Sequence, residues 1–78
     1  MPRLVWFVLK DGRSMVAGCG SATKAMLENV LALPERTLAF TSDDAVEHIP
    51  NSAVREFVFF DARNAIPPAT SIFRYVQV

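Results

Sequence analysis

Residues 4–9 read Leu-Val-Trp-Phe-Val-Leu and residues 57–60 read Phe-Val-Phe-Phe, apolar at every position. Successive side chains on a strand point to opposite faces. Leu4, Trp6 and Val8 therefore oppose Val5, Phe7 and Leu9, and Val58 and Phe60 oppose Phe57 and Phe59. A strand that is apolar on both faces belongs to a sheet covered on both sides. The sequence must supply two covers.

Helical periodicity supplies one of them. Ala22, Met26, Val30 and Leu33 fall on one stripe, Leu27 and Leu31 sit beside it, and Thr23, Lys24, Glu28 and Asn29 lie away from it. The spacing predicts an amphipathic helix over residues 21–33, opened by Ser21 as N-cap and stopped by Pro34. A helix of about 12 residues is roughly 18 Å long, enough for one face of a few strands. Leaving the second face wet would be ruinous. Each buried Phe or Leu is worth about 1.5–3 kcal/mol, against a total stability of roughly 5–15 kcal/mol. Either the sheet curls onto itself or a second subunit covers it.

The other elements are strands. Residues 3–10 and 13–17 form a hairpin about Asp11-Gly12. Residues 37–41, 45–49 and 53–61 follow the helix as third, fourth and fifth strands. Residues 61–69 are a loop containing Pro67-Pro68, and residues 71–78 close the chain. In this last strand Ile72, Arg74, Val76 and Val78 alternate against Phe73, Tyr75 and Gln77. The expectation is one domain over residues 1–78, α+β, order β-β-α-β-β-β-β, with a mainly antiparallel, strongly curled sheet.

A corner joins the fourth and fifth strands. Ile49-Pro50-Asn51-Ser52 fits a type I turn, and Ala53-Val54 begins the next strand. This strand, Ile-Pro, tight turn, Ala-Val sequence resembles the link between the last strands of small SH3-like barrels. The resemblance covers about a dozen residues and implies a partly open barrel; it implies no ligand. The glycine often found before that Ile-Pro is missing here, and a helix between the second and third strands departs from the SH3 plan.

The chemistry-bearing residues are few. Cys19 is the one cysteine and His48 the one histidine, so no disulfide or metal framework is available within the chain, and no cofactor is expected. A lone cysteine suits a reducing, cytoplasmic setting. The short apolar run at the start falls below a signal-peptide core, and no stretch approaches a membrane span. His48 reads as a strand residue beside the turn; Asp43 and Asp44 are the turn's own residues, although they could orient it as a base. Cys19 sits between glycines before the helix, where a thiol can be activated. It reads first as a small residue in a tight link. Gly20, Ser21 and Ala22 form the candidate anion site, since Gly-rich backbone at a helix start attracts anions; the spacing of a nucleotide-binding phosphate loop is absent.

Eight basic and eight acidic residues cancel, which weighs against a polyanion partner. With 51% hydrophobic residues, the chain has apolar surface to share. The leading expectation is a small non-catalytic interaction or adaptor protein that self-assembles as a homodimer or small ring and contacts another, unidentified protein. Its apolar contacts would be Trp6, Phe57, Phe59, Phe73 and Tyr75. The alternative is a nucleic-acid-binding regulator on a curled sheet, its aromatics stacking on bases. A third reading is a small enzyme using Cys19 or His48 at a subunit interface. Compact chains of this kind are similar to accessory proteins of phages and mobile elements.

Overall fold

The computed structural model describes residues 3–60 and 68–77. Six strands and one helix run in the order β1 (Leu4–Leu9), β2 (Ser14–Gly18), α1 (Lys24–Leu31), β3 (Thr37–Thr41), β4 (Val46–Pro50), a 3-10 turn (Asn51–Ala53), β5 (Val54–Phe60) and β6 (Ser71–Gln77). Most of the loop expected over residues 61–69, and the expected strand ends at Asp61 and Val78, lie outside the described residues.

All six strands form one sheet, in the order β4-β3-β6-β2-β1-β5. The pairs β1–β2, β1–β5, β3–β4 and β3–β6 are antiparallel, whereas β2–β6 is parallel. The sheet is therefore mixed. Entering the middle of the sheet, β6 separates β2 from β3 and antiparallel partners flank the parallel pair.

The sixth strand also breaks the alternation read from its sequence. Val16 pairs with Ile72 and Gly18 with Tyr75, so β6 holds one residue more than β2 across that interval. This bulge reverses the parity. Phe73 lies on the core side before it and buried Val76 after it. Val76 consequently does not share a face with Ile72, which is 65% exposed.

The helix starts later and turns differently than its pattern predicts. Its cap is Thr23, whose Oγ1 accepts from the Met26 N–H at 3.2 Å. The Ala22 N–H is instead held by the Cys19 carbonyl at 3.1 Å, which keeps residues 19–22 in a turn. Ser21 is therefore not the cap. Leu27 is fully buried and Val30 and Leu31 are half-buried, while Met26 and Leu33, expected on the buried stripe, are exposed. The buried stripe thus runs through Leu27 and Leu31, one position beside the predicted one.

What sets that rotation is the corner. The turn after β4 is a 3-10 turn, not an isolated type I turn, and it buries Asn51. The Asn51 Nδ2 donates to the carbonyls of Val30 at 2.8 Å and Leu33 at 3.0 Å. Both carbonyls already accept a backbone N–H, from Leu33 and Arg36 respectively. The side-chain amide adds a second donor to each and ties the end of the helix to the corner. Pro50 ends β4 inside the strand, opposite Thr37. It is tolerated because β4 is an edge, where a missing N–H costs no ladder bond.

The two edge strands, β4 and β5, are consecutive in the chain. In a flat six-stranded sheet they would stand about 24 Å apart. The four peptide steps from Pro50 to Val54 span at most about 15 Å, so the sheet has to curl. Its inner face and α1 enclose the core, with Val5, Phe7, Met15, Leu27, Leu38 and Phe40 essentially inaccessible. Phe7 meets Phe40 edge to face at 5.3 Å.

Candidate interaction surface

The strand register sorts the predicted contact residues. Phe57 and Phe59 lie opposite Phe7 and Val5, and so share the inner face with the core. Both are half-buried, with their rings edge to face at 6.0 Å. Phe73 also turns inward, 5.6 Å from Phe40. Trp6 and Tyr75 belong to the outer face. Trp6 sits in a row running Val58, Trp6, Val16, Ile72 across β5, β1, β2 and β6. Its indole N–H is buried and has no hydrogen-bond partner among the described residues. Tyr75 sits in the row Val46, Thr41, Tyr75, Gly18, Leu4, Phe60. The five predicted contacts are thus divided between the two faces and form no single patch.

The β5 edge gathers residues from both faces. Among the described residues β5 pairs only with β1, so its other side presents unpaired backbone. Native edge strands are usually blunted by charge, proline, bulges or shortness. β4 is five residues long and ends in proline. β5 is seven residues long; its Arg55 and Glu56 pair with each other at 3.5 Å, and its last four residues carry no charge. The register shifts near its start, where Val8 pairs with Glu56 and Leu9 with Val54, so Arg55 is the extra residue of a bulge and Glu56–Phe60 runs regularly. The Arg3 guanidinium stacks over the Phe59 ring at 4.3 Å.

Beside this edge runs a groove of about 510 Å³ between α1 and β5. Apolar Leu31, Val54 and Phe57 line it together with charged Lys24, Glu28 and Arg55. Sequence reading missed this groove. Lys24, Leu31 and Val54 carry no local signal of proximity; they meet because the Asn51 amide and the short corner dock the helix end against the start of β5.

The other candidates fall elsewhere. Gly20 adopts φ +60° in the turn before the helix, Ser21 is exposed, and Ala22 is buried with its N–H engaged as above. His48 is exposed on β4 opposite Ala39, and its side chain makes no hydrogen bond or ion pair among the described residues. No group of three or more His, Cys, Asp or Glu side chains is placed to hold a metal among the described residues. Asp43 is held by Arg74 in an ion pair. Arg13 bridges Asp11 at 3.0 Å and Glu47 at 3.1 Å. Hydrogen bonds from the Arg13 backbone and side chain hold the Asp11 carboxyl below its ordinary range. No helix among the described residues is long and apolar enough to cross a membrane.

Cys19 is buried, and its thiol donates to the Arg3 carbonyl at 3.6 Å. Burial pushes the thiol pKa up, with the Arg3 charge opposing only in part. Because the folded state favours the protonated form, this contribution to stability is complete at neutral and acid pH and is lost as pH rises into the alkaline range. Iodoacetamide at neutral pH should therefore modify native Cys19 at least about tenfold more slowly than the urea-unfolded chain. Equal rates by mass spectrometry would refute the buried thiol.

No family model, curated protein or solved structure matches this chain.

Proposed function

We propose that the protein works by association, without catalysis, and that it self-assembles through the β5 edge and the adjoining α1–β5 groove. One observation carries this reading: a seven-residue strand edge, apolar over its last four residues, with no strand beside it among the described residues. Unpaired strand edges template pairing with another chain. Pairing there would cover Phe57 and Phe59 together with Val58, which is 46% exposed. Tyr75, Ile72 and Val46, exposed on the outer face, stay free for a second protein, as an adaptor requires.

The fold reading that accompanies this proposal is an SH3-like, partly open barrel. It is supported by edge strands joined through a 3-10 turn at Pro50 and by the β5-β1-β2 succession. β6 inserted beside β2, and α1 between β2 and β3, are departures from that plan.

The nucleic-acid reading draws less support, because Arg13, Arg55 and Arg74 are each engaged by a carboxylate. The enzyme reading is weakened by the buried, protonated Cys19.

Light scattering after size exclusion tests the association. The expected mass is twice the 8.6 kDa of the chain. Val58→Glu, which places a charge on the open edge without touching the core, should shift the species to monomer. A monodisperse monomer for the unsubstituted chain overturns the proposal.

A further inference from the structure

Asn51, the tie between corner and helix, also carries a latent chemical fault. Its backbone N–H donates to the Arg36 carbonyl at 2.9 Å, its own carbonyl accepts from the Val54 N–H, and its Nδ2 donates to Val30 and Leu33. The residue is 3% exposed, and its Oδ1 has no partner among the described residues. Ser52 follows it and is exposed. A small residue after asparagine leaves the peptide nitrogen free to attack the side-chain amide. Asn29, by contrast, precedes β-branched Val30, whose bulk crowds that nitrogen.

We propose that Asn51 is a deamidation site which the native corner protects and which turns unfolding into a one-way event. In the opened chain the deprotonated Ser52 backbone nitrogen attacks Asn51 Cγ. The new N–C bond closes a succinimide ring as the Cγ–Nδ2 bond breaks, and Nδ2 leaves as ammonia. Water then adds to either ring carbonyl and leaves an aspartyl or isoaspartyl residue at position 51, with no change of oxidation state. In the folded chain the attack is blocked. A 3-10 turn keeps ψ at about −20 to −30°, and the Ser52 nitrogen reaches Cγ only when that angle opens. The product does not fit the place of the amide. One acid oxygen replaces Nδ2 and faces the Val30 and Leu33 carbonyls, acceptor against acceptor. The other takes the place of Oδ1, where no donor stands among the described residues. A buried carboxylate without donors is strongly disfavoured. The isoaspartyl form also lengthens the backbone within the turn. Converted chains therefore fail to dock the helix end on the corner, and chemical change in the unfolded state makes unfolding irreversible. This holds whichever surface the chain associates through.

Peptide mapping tests the site. The full chain is held at mildly alkaline pH, native and in guanidinium chloride, then cleaved with trypsin. Residues 37–55 form one tryptic peptide in which Asn51 is the one side-chain amide, so amide-to-acid conversion there reads this residue alone. Conversion should be at least about tenfold slower in the native chain than in the denaturant. On dilution, unconverted chains should refold and converted chains should not, by size exclusion and circular dichroism. Ser52→Val crowds the attacking nitrogen and should slow conversion in the denaturant several-fold, whether or not that variant folds. Asn51→Asp supplies the aspartyl product directly and should fail to fold or unfold at lower urea than the unsubstituted chain. Equal conversion in native and denatured chains, or none in the denaturant, overturns the proposal. So does an Asn51→Asp chain with an unchanged urea midpoint, or converted chains that refold alongside the rest.

Discussion

Replacing Phe40 by alanine should cost about 3–5 kcal/mol and lower the urea midpoint of unfolding accordingly. A domain of this length has about 4–12 kcal/mol to lose. Phe40 has no exposed surface, and its ring touches Phe7 at 5.3 Å and Phe73 at 5.6 Å. Those neighbours sit on β1 and β6, so this one ring links both halves of the sheet across the curled core. No nearby loop can collapse into the space, because the lining residues are themselves strand-bound. Urea denaturation followed by far-UV circular dichroism measures the loss. Tyr75→Ala, at a half-exposed aromatic on the outer face, is the matched control and should stay within about 1 kcal/mol of the unsubstituted chain. A Phe40 loss below about 1 kcal/mol would mean that β3 does not pack over Phe7.

Phe40 is also a place where sequence and structure agree. Its alternation with Leu38 on a short β-branched and aromatic stretch is a local pattern, and local patterns survive tertiary context. The hairpin at Asp11-Gly12 is legible for the same reason: a type of turn that needs positive φ takes glycine, and Gly12 has φ +95°. The helix is legible in existence but not in rotation. Its sequence offers two adjacent apolar stripes of similar strength, Met26/Leu33 and Leu27/Leu31, and the Asn51 amide that holds the helix end comes from 21 residues beyond Val30 and 18 beyond Leu33. Pro50 signals a strand end, yet lies within β4, because the sequence does not say which strands are edges. The contact residues Trp6, Phe57, Phe59, Phe73 and Tyr75 are legible as aromatic strand positions. Alternation alone separates Trp6 from Phe7 and keeps Phe57 with Phe59, but the separation of Phe73 from Tyr75 depends on a bulge that no residue in β6 announces.

That bulge leads to the second large effect. Gly18→Val should cost at least about 1–3 kcal/mol and break the parallel β2–β6 pairing. A Cβ built on Gly18 would stand 2.7 Å from the Arg74 carbonyl oxygen. The obstacle is backbone, which cannot rotate away as a side chain would. Gly18 is therefore glycine for close approach, not for a positive φ. To admit the substituent, β6 must move off β2 at the Gly18–Tyr75 pair, and Val76, the next residue along the same strand, must lose its place opposite Phe40. The damage should appear first in the amide resonances of Arg74 to Val76 and in those of Phe40. Gly12→Val gives the contrast: no atom lies within 4 Å of its Cβ, so its penalty comes from backbone strain alone and stays local to the hairpin. If Gly18→Val instead leaves stability within about 0.5 kcal/mol and shifts only β2 resonances, β6 does not lie against β2 in parallel, and both the mixed sheet and its central strand order are refuted.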